Sequence, residues 1–453
     1  MASKWDDQYP GAPRVEAEMS ANGMRGRLNR FQRTMLDWNE LHPYNAVHVV
    51  RVSAALDLPR LRAAIQTTLE GLGLTNLSAD REGGACQYRG GPVVSEIIVI
   101  KDGGPAGSSL SAEIERQLNA PFPRDNSFDP FRFFVAPGPA SFSLGLAYFH
   151  PVADAESVVW LLKRMIDAYR ASAAGVSSAT VDLSSGCPDS PILHHPGVVV
   201  RQIAALPAFI RILRTSCRPR YRDADDLRNG FTNFVLEAAS LGWLRIAGKS
   251  WGVTLNDLFL ALLLHALAPL AAARRQARRR KIAAGCIVNV RKDLGVKHGT
   301  FGLFLGSFMV AHEVPEGIGL KALAASIALQ TARIKARRLY LATPVQLAFA
   351  SLALRFFSTR RKRSFYQKHC PLWGGITNMN LNTLWEEQAQ DGALDYLRAV
   401  STGPVTPLVL SITTVGDRVN VGLSYRSTVF TAAEIGQVQS RLVDGVARLA
   451  NLA

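Results

Sequence analysis

Two residues whose types and spacing suit chemistry stand where an apolar run gives way to a helical one. They are His150 and Asp154, in "SFSLGLAYFHPVADAESVVWLL" at 141–162. Imidazole, with an unperturbed pKa of about 6.5, takes a proton from an alcohol or amine at neutral pH, and such general-base catalysis contributes roughly 100- to 10,000-fold. The plainer alternatives are a histidine satisfying a local hydrogen bond and an aspartate that only caps the helix it precedes. Spacing alone leaves both open. The flanking pattern sets where the pair sits. Phe142, Leu144, Leu146 and Tyr148 alternate with small residues as in a half-buried strand, while Val158, Leu161, Leu162, Met165, Ile166 and Tyr169 recur at helical spacing. A strand end presents one side chain in a fixed direction, and His150 is that residue.

The whole chain has 453 residues, 48% of them hydrophobic, which excludes a disordered or fibrous protein and favours two or more folding units. Its five cysteines (Cys86, Cys187, Cys217, Cys286, Cys370) are scattered, with neither Cys-x-x-Cys pairing nor a Cys/His spacing suited to zinc, so no metal site is expected. They read as reduced thiols. The polar opening "MASKWDDQYPGAPRVEAEMS" lacks the layout of a secretion signal, so the expected location is cytoplasmic. A net charge of +16 draws a protein toward phosphorylated cofactors, acidic carrier proteins, nucleic acid or anionic lipid. Nucleic acid is the weaker candidate, since no helix-turn-helix, zinc-finger or aromatic RNA-binding pattern accompanies the charge. Two basic clusters stand out, "ARRQARRRK" at 273–281 and "STRRKRSFYQKH" at 358–369, each readable as a solvated face or as a phosphate-binding one. The charge-free run "LYLATPVQLAFASLAL" at 339–354 is shorter than the roughly 20 residues a membrane span needs. The arginine-studded run 198–222 suits a membrane surface or a linker helix packed on its own protein.

The rhythm of elements divides the chain. Residues 1–27 read as a polar tail, and 28–172 as a first unit. There "AVHVVRVSAAL" (46–56) and "VSEIIVI" (94–100) are strands, "SAEIERQLNAPF" is a short helix, and "DLPRLRAAIQTTLEGL" (57–72) is a helix capped by Asp57. A Ser/Ala/Gly-rich stretch and the basic run make 173–226 an interdomain connection. In the second unit, 227–453, "GVTLNDLFLALLLHALAPL" (252–270) is a nearly all-apolar helix capped by Thr254, and "KIAAGCIVNV" (281–290) is a strand. Residues 408–425 form a hairpin turning near Gly416-Asp417, and 431–449 an amphipathic helix. Both halves are α/β layers.

"FHPVADAESVVWLLKRMIDAY" resembles the His-x-x-x-Asp motif of a superfamily of thioester-dependent acyltransferases. Its members include nonribosomal-peptide condensation domains, wax ester synthase/diacylglycerol acyltransferases, polyketide-associated acyltransferases and plant BAHD enzymes. Further blocks resemble the family in order: "LNRFQRTMLDWNELHPYNAVHVVRVSAALDLPRLRAAI", "GVTLNDLFLALLLHAL", "CIVNVRKDLGVKHGTFGLFLGSF" and "WGGITNMNL". The chain departs from the usual motif at Phe149, where condensation domains commonly have a first histidine, and at Ala155, in place of glycine. The Asp-Phe-Gly-Trp-Gly block of the plant branch is absent.

This resemblance implies two chloramphenicol-acetyltransferase-like lobes in a V around a central tunnel. It makes His150 the general base and Asp154 a structural residue paired with Arg291. The implied reaction moves an acyl group from acyl-CoA or an acyl carrier protein to a hydroxyl or amine. A thioester is already activated, so the attacking acceptor needs no covalent nucleophile and no permanent cofactor. Consistent with that chemistry, the sequence has no Gly-x-Ser-x-Gly elbow, no phosphate loop and no His-Glu-x-x-His helix. Candidates for oxyanion or acceptor contacts are Ser307, Thr377 and Asn378; candidates for phosphate or carrier contacts are Arg360, Arg361, Lys362 and Arg363. The alternatives are a non-catalytic condensation-like module that docks carrier proteins, and a peripheral-membrane variant making wax esters or acylglycerols at an anionic surface.

Overall fold

A computed structural model describes residues 19–20, 23–80, 84–93, 95–100, 109–123, 127–171, 196–296, 299–313, 315–385 and 395–452. The first half runs through β1 (Met19–Ser20), β2 (Gly23–Arg27), α1 (Arg30–Leu41), β3 (Asn45–Val52), α2 (Leu58–Gly71), β4 (Leu77–Asp80), β5 (Ala85–Tyr88), β6 (Ile97–Val99), α3 (Leu110–Asn119), β7 (Phe131–Pro137), β8 (Phe142–Phe149) and α4 (Ala155–Arg170). After α5 (Pro196–Thr215) come β9 (Asn229–Leu236), α6 (Ala238–Trp251), α7 (Leu255–Ala272), β10 (Ile282–Asn289), β11 (Leu305–His312), α8 (Leu320–Ala336), α9 (Thr343–Leu354), α10 (Thr359–His369), β12 (Leu372–Asn380), β13 (Tyr396–Val400), β14 (Leu408–Val415), β15 (Arg418–Arg426) and α11 (Ala432–Ala447).

Local chemistry sets these boundaries. Asp57 caps α2 by accepting from the Arg60 amide, with Pro59 in the first turn where its missing N–H costs nothing. Thr254 and Asp257 form a reciprocal capping box at the start of α7. Helix α3 ends at Asn119, shorter than the run to Phe122, because Pro121 disfavours helical backbone at Ala120. The β14–β15 hairpin turns at Gly416, whose φ of 57° suits a residue without a Cβ.

Three sheets result among the described residues. The first core lies on a five-stranded sheet, β13-β3-β8-β7-β6, covered by α2 and α4, with Leu61, Leu144, Val158, Leu162 and Met165 inside. The second lies on a six-stranded sheet, β11-β10-β12-β14-β15-β9, against α7, α8 and α11. A small sheet, β1-β2-β5-β4, flanks the first. Helix α7 is long and apolar enough to cross a bilayer by composition, yet 67% of it is buried inside the protein as a core helix.

Three features differ from the sequence expectations. Residues 23–27, expected within the polar tail, form β2 and pair with β5, Met24 opposite Tyr88; residues 1–18 and 21–22 lie outside the described residues. Of the expected connection, 173–195 lies outside the described residues, and 196–215 is helix. The sheets also do not divide at residue 226. Strand β13, from the second half, joins the first sheet antiparallel to β3, with Arg398 opposite His48. It lies so close to β15 that a Cβ on Gly422 would sit 2.1 Å from the Arg398 carbonyl oxygen. Glycine there is what lets the two sheets approach.

Candidate active site

Strand β8 delivers His150 into a 3-10 turn, His150–Val152, before the chain enters α4. The turn is held from both sides: the His150 amide donates to the Tyr44 carbonyl (3.2 Å), and Gln32 of α1 donates its Nε2–H to the Pro151 carbonyl (3.0 Å). The imidazole is 7% exposed, stacked on Tyr44 (centroids 5.4 Å apart, 18° between planes) and edge-on to Tyr148 (5.6 Å, 83°). Its Nδ1 lies 3.1 Å from the Ala153 carbonyl oxygen. A carbonyl only accepts, so Nδ1 carries the proton and the lone pair sits on Nε2. Burial lowers the His150 pKa, with the Ala153 hydrogen bond and the Asp154 charge opposing the shift. The ring is therefore neutral at neutral pH, the form a base requires.

Asp154 is 1% exposed and fully engaged elsewhere. Its Oδ2 accepts from Arg291 Nη1 (2.6 Å) and the Phe304 amide (2.9 Å); its Oδ1 accepts from Arg291 Nη2 (2.9 Å) and the Ser157 amide (3.0 Å), with the Ser157 hydroxyl also within reach. It is thus both the N-cap of α4 and half of a buried, bidentate ion pair. Arg291 also donates to Ser157 Oγ (2.8 Å) and the Thr300 carbonyl, and stacks over the Phe304 ring at 4.5 Å. The Ser157 hydroxyl shares its one proton between Asp154 Oδ1 (3.0 Å) and the Gly302 carbonyl (2.9 Å), and accepts from the Gly302 amide. This mesh fastens the turn of the first sheet to the 290–304 loop of the second. It commits the carboxylate to architecture.

Several members went unnoticed in the sequence: Tyr44, Gln32, Ser157, Glu156, which lies 3.7 Å from Arg291 Nε, and Asn289, which donates to Glu156. Ser157 had a signal, since it stands three residues after a capping aspartate. Gln32 and Tyr44 had none, because only folding brings α1 to the turn.

The remaining candidates stand apart. Ser307, half-buried on β11, is tied to the Thr343 hydroxyl at the start of α9, its amide at 2.8 Å and its Oγ at 3.1 Å. Thr377 on β12 accepts at its carbonyl from the buried Arg398 (3.1 Å), and Asn378 donates from Nδ2 to Asn256 (2.7 Å). Among the described residues, none of the three hydrogen-bonds the His150 turn. Arg360 and Arg361 are exposed on α10 and Lys362 is half-buried, but Arg363 donates to the Leu41 carbonyl at the end of α1, so the four do not act alike. The other basic cluster is largely committed: Arg275 pairs with Glu316, Arg280 with Glu313, and Arg279 donates to the Leu213 and Ser216 carbonyls.

No family model matches the sequence, and no curated protein matches it. Solved structures do. The first condensation domain of the calcium-dependent antibiotic synthetase, in complex with a substrate analogue, is 15% identical with a TM-score of 0.68, over 95% of this chain and 97% of that one. The starter condensation domain of rhizomide synthetase, in complex with C8-CoA and Leu-SNAC, is 14% identical with a TM-score of 0.64, over 94% of both chains. The epimerization domain from the third module of tyrocidine synthetase B is 14% identical with a TM-score of 0.62, over 97% of this chain and 98% of that one. Such identities speak to the fold alone, and a fold shared with an epimerization domain does not fix the reaction. The described residues have the two-lobed, chloramphenicol-acetyltransferase-like fold of these condensation domains.

Proposed function

We propose that the protein is an acyltransferase, moving an acyl group from a thioester to a hydroxyl or amine acceptor with His150 as general base. The observation that carries this reading is the state of the imidazole: neutral by burial, its proton fixed on Nδ1 by the Ala153 carbonyl and its lone pair therefore on Nε2. In the proposed step Nε2 takes the acceptor's proton as the acceptor attacks the thioester carbonyl. The C–S bond then breaks, and the departing thiolate takes that proton back. Asp154, held by Arg291, keeps the turn in place without touching substrate. Thr377 remains the candidate for stabilising the oxyanion, a role worth several kcal/mol when geometry is right; Ser307 Oγ is engaged with Thr343 and Asn378 Nδ2 with Asn256.

Acyl-CoA and carrier-bound phosphopantetheine are the proposed donors, and the rhizomide domain in complex with C8-CoA supports the first. The test supplies acyl-CoA of short and long chain, and separately an acylated carrier protein, with a pool of alcohols and amines. New ester or amide detected by mass spectrometry is the expected outcome, and its mass names the acceptor. No product from either donor would refute acyl transfer and leave a docking module.

A further inference from the structure

We propose that the turn between α9 and α10 is a docking surface for anionic membranes, a property independent of the chemistry at His150. Three large apolar side chains stand in solvent within six residues: Leu352 at 65% exposure, Phe356 at 87% and Phe357 at 39%. Both helices rest on α1, through contacts that include the Trp38–Tyr366 hydrogen bond at 3.1 Å, and every residue from 355 to 361 is left exposed. The apolar side chains thus project from the turn between two helices instead of lining a groove.

Charge surrounds them. Arg355, Arg360, Arg361, Lys362, Arg363 and Lys368 place six cations in fourteen residues, and the chain has no Asp or Glu from residue 317 through 385. A second exposed apolar face lies on α5, which packs against the 3-10 turn Leu339–Ala342 leading into α9. Val200 (64% exposed), Ile203 (50%) and Ile210 (42%) follow helical spacing there, with Arg211 and Arg214 also exposed. The stretch from 190 to 222 has no acidic residue either.

Exposed aromatic and aliphatic side chains ringed by lysine and arginine match what a bilayer interface offers: acyl chains for the rings and anionic headgroups for the cations. A protein partner of opposite charge would satisfy the cations but would need a pocket for the Phe356 ring. Helix α1 carries Trp38 against α10 and Gln32 against the His150 turn, so a bilayer holding the α9–α10 turn would lie one helix away from the imidazole.

Flotation with phosphatidylcholine vesicles, with and without phosphatidylglycerol, tests this on the intact protein. Wild type should float with the anionic vesicles and at least about tenfold less with the neutral ones, the difference fading at high salt. F356D removes the most exposed ring without touching a packed one, and should lower anionic-vesicle binding about tenfold while circular dichroism stays unchanged. R360Q/R361Q should weaken binding and flatten its salt dependence. Failure to float with anionic vesicles would overturn the proposal. Flotation unaffected by F356D would also overturn it, as attraction by net charge alone. Capture of an acidic carrier protein, lost in F356D, with no vesicle binding would reassign the surface to that carrier.

Discussion

Replacing Asp154 with asparagine is the sharpest perturbation of the site's architecture, because five donors lie within hydrogen-bond distance of that carboxylate in a nearly dry environment. Asparagine keeps one acceptor oxygen and sets an NH₂ where the other oxygen accepted from donors. Arg291, 5% exposed, keeps its charge and loses its bidentate partner. Removing one member of a buried pair costs about 3–5 kcal/mol. Glu156, 3.7 Å from Arg291 Nε, leaves a residual counter-charge and places the expected loss near the low end, ~3 kcal/mol, or roughly a hundredfold in the folded-to-unfolded ratio. The assay is denaturant unfolding of wild type, Asp154→Asn, Arg291→Met and the double variant. Because the double variant removes both charges, its loss should fall short of the sum of the single losses by about 0.5–3 kcal/mol. An Asp154→Asn variant within about 1 kcal/mol of wild type, or strictly additive losses, would refute the reasoning.

Further outcomes follow from the same geometry. The pKa of His150 is lowered, so the basic form persists below the ordinary histidine value of 6.5; acyl transfer should hold its rate there and fall only at more acid pH, and an acid limb centred above 6.5 would contradict the burial argument. His42, His48 and His150 are all buried with lowered pKa values, chiefly through desolvation, so the unfolded chain binds protons first as pH drops. Their contribution to stability is complete above about 6.5 and is lost as pH falls through the folded values; thermal unfolding across that range should show the midpoint dropping, and a midpoint flat from neutral to acid pH would oppose it. Gly422→Ala would put a Cβ 2.1 Å from the Arg398 carbonyl oxygen, a backbone atom that cannot swing away, so β13 should be displaced and proteolysis around residue 395 accelerated relative to wild type.

Much of this architecture was legible because its signals are local. Asp57 and Thr254 announce helix starts, Gly416-Asp417 a hairpin, and the change from period two to helical spacing at His150 a strand that turns into a helix. The Asp154–Arg291 pairing entered only through resemblance, since 137 residues separate the partners and spacing carries no trace of it. Strand β13 was missed for a related reason: "YLRAV" is five residues with an arginine at its centre, and nothing nearby says that Arg398 will be buried on carbonyls of β12 and β14. The basic run at 358–369 was visible as charge, but its separation into exposed Arg360 and Arg361 and a committed Arg363 depends on where α1 ends. Oxyanion donors were the least legible, because a serine or threonine in a strand looks alike whether it faces substrate or a neighbouring hydroxyl, as Ser307 faces Thr343.

The proposed reaction stands on His150 as the base of an acyl transfer. Its most direct test compares thiol release and product formation by wild type and a folded His150→Ala variant, with the donor and acceptor that the product screen identifies. Loss of the base should lower turnover roughly 100- to 10,000-fold with the fold intact. Equal turnover by the variant would show that the imidazole is not the base.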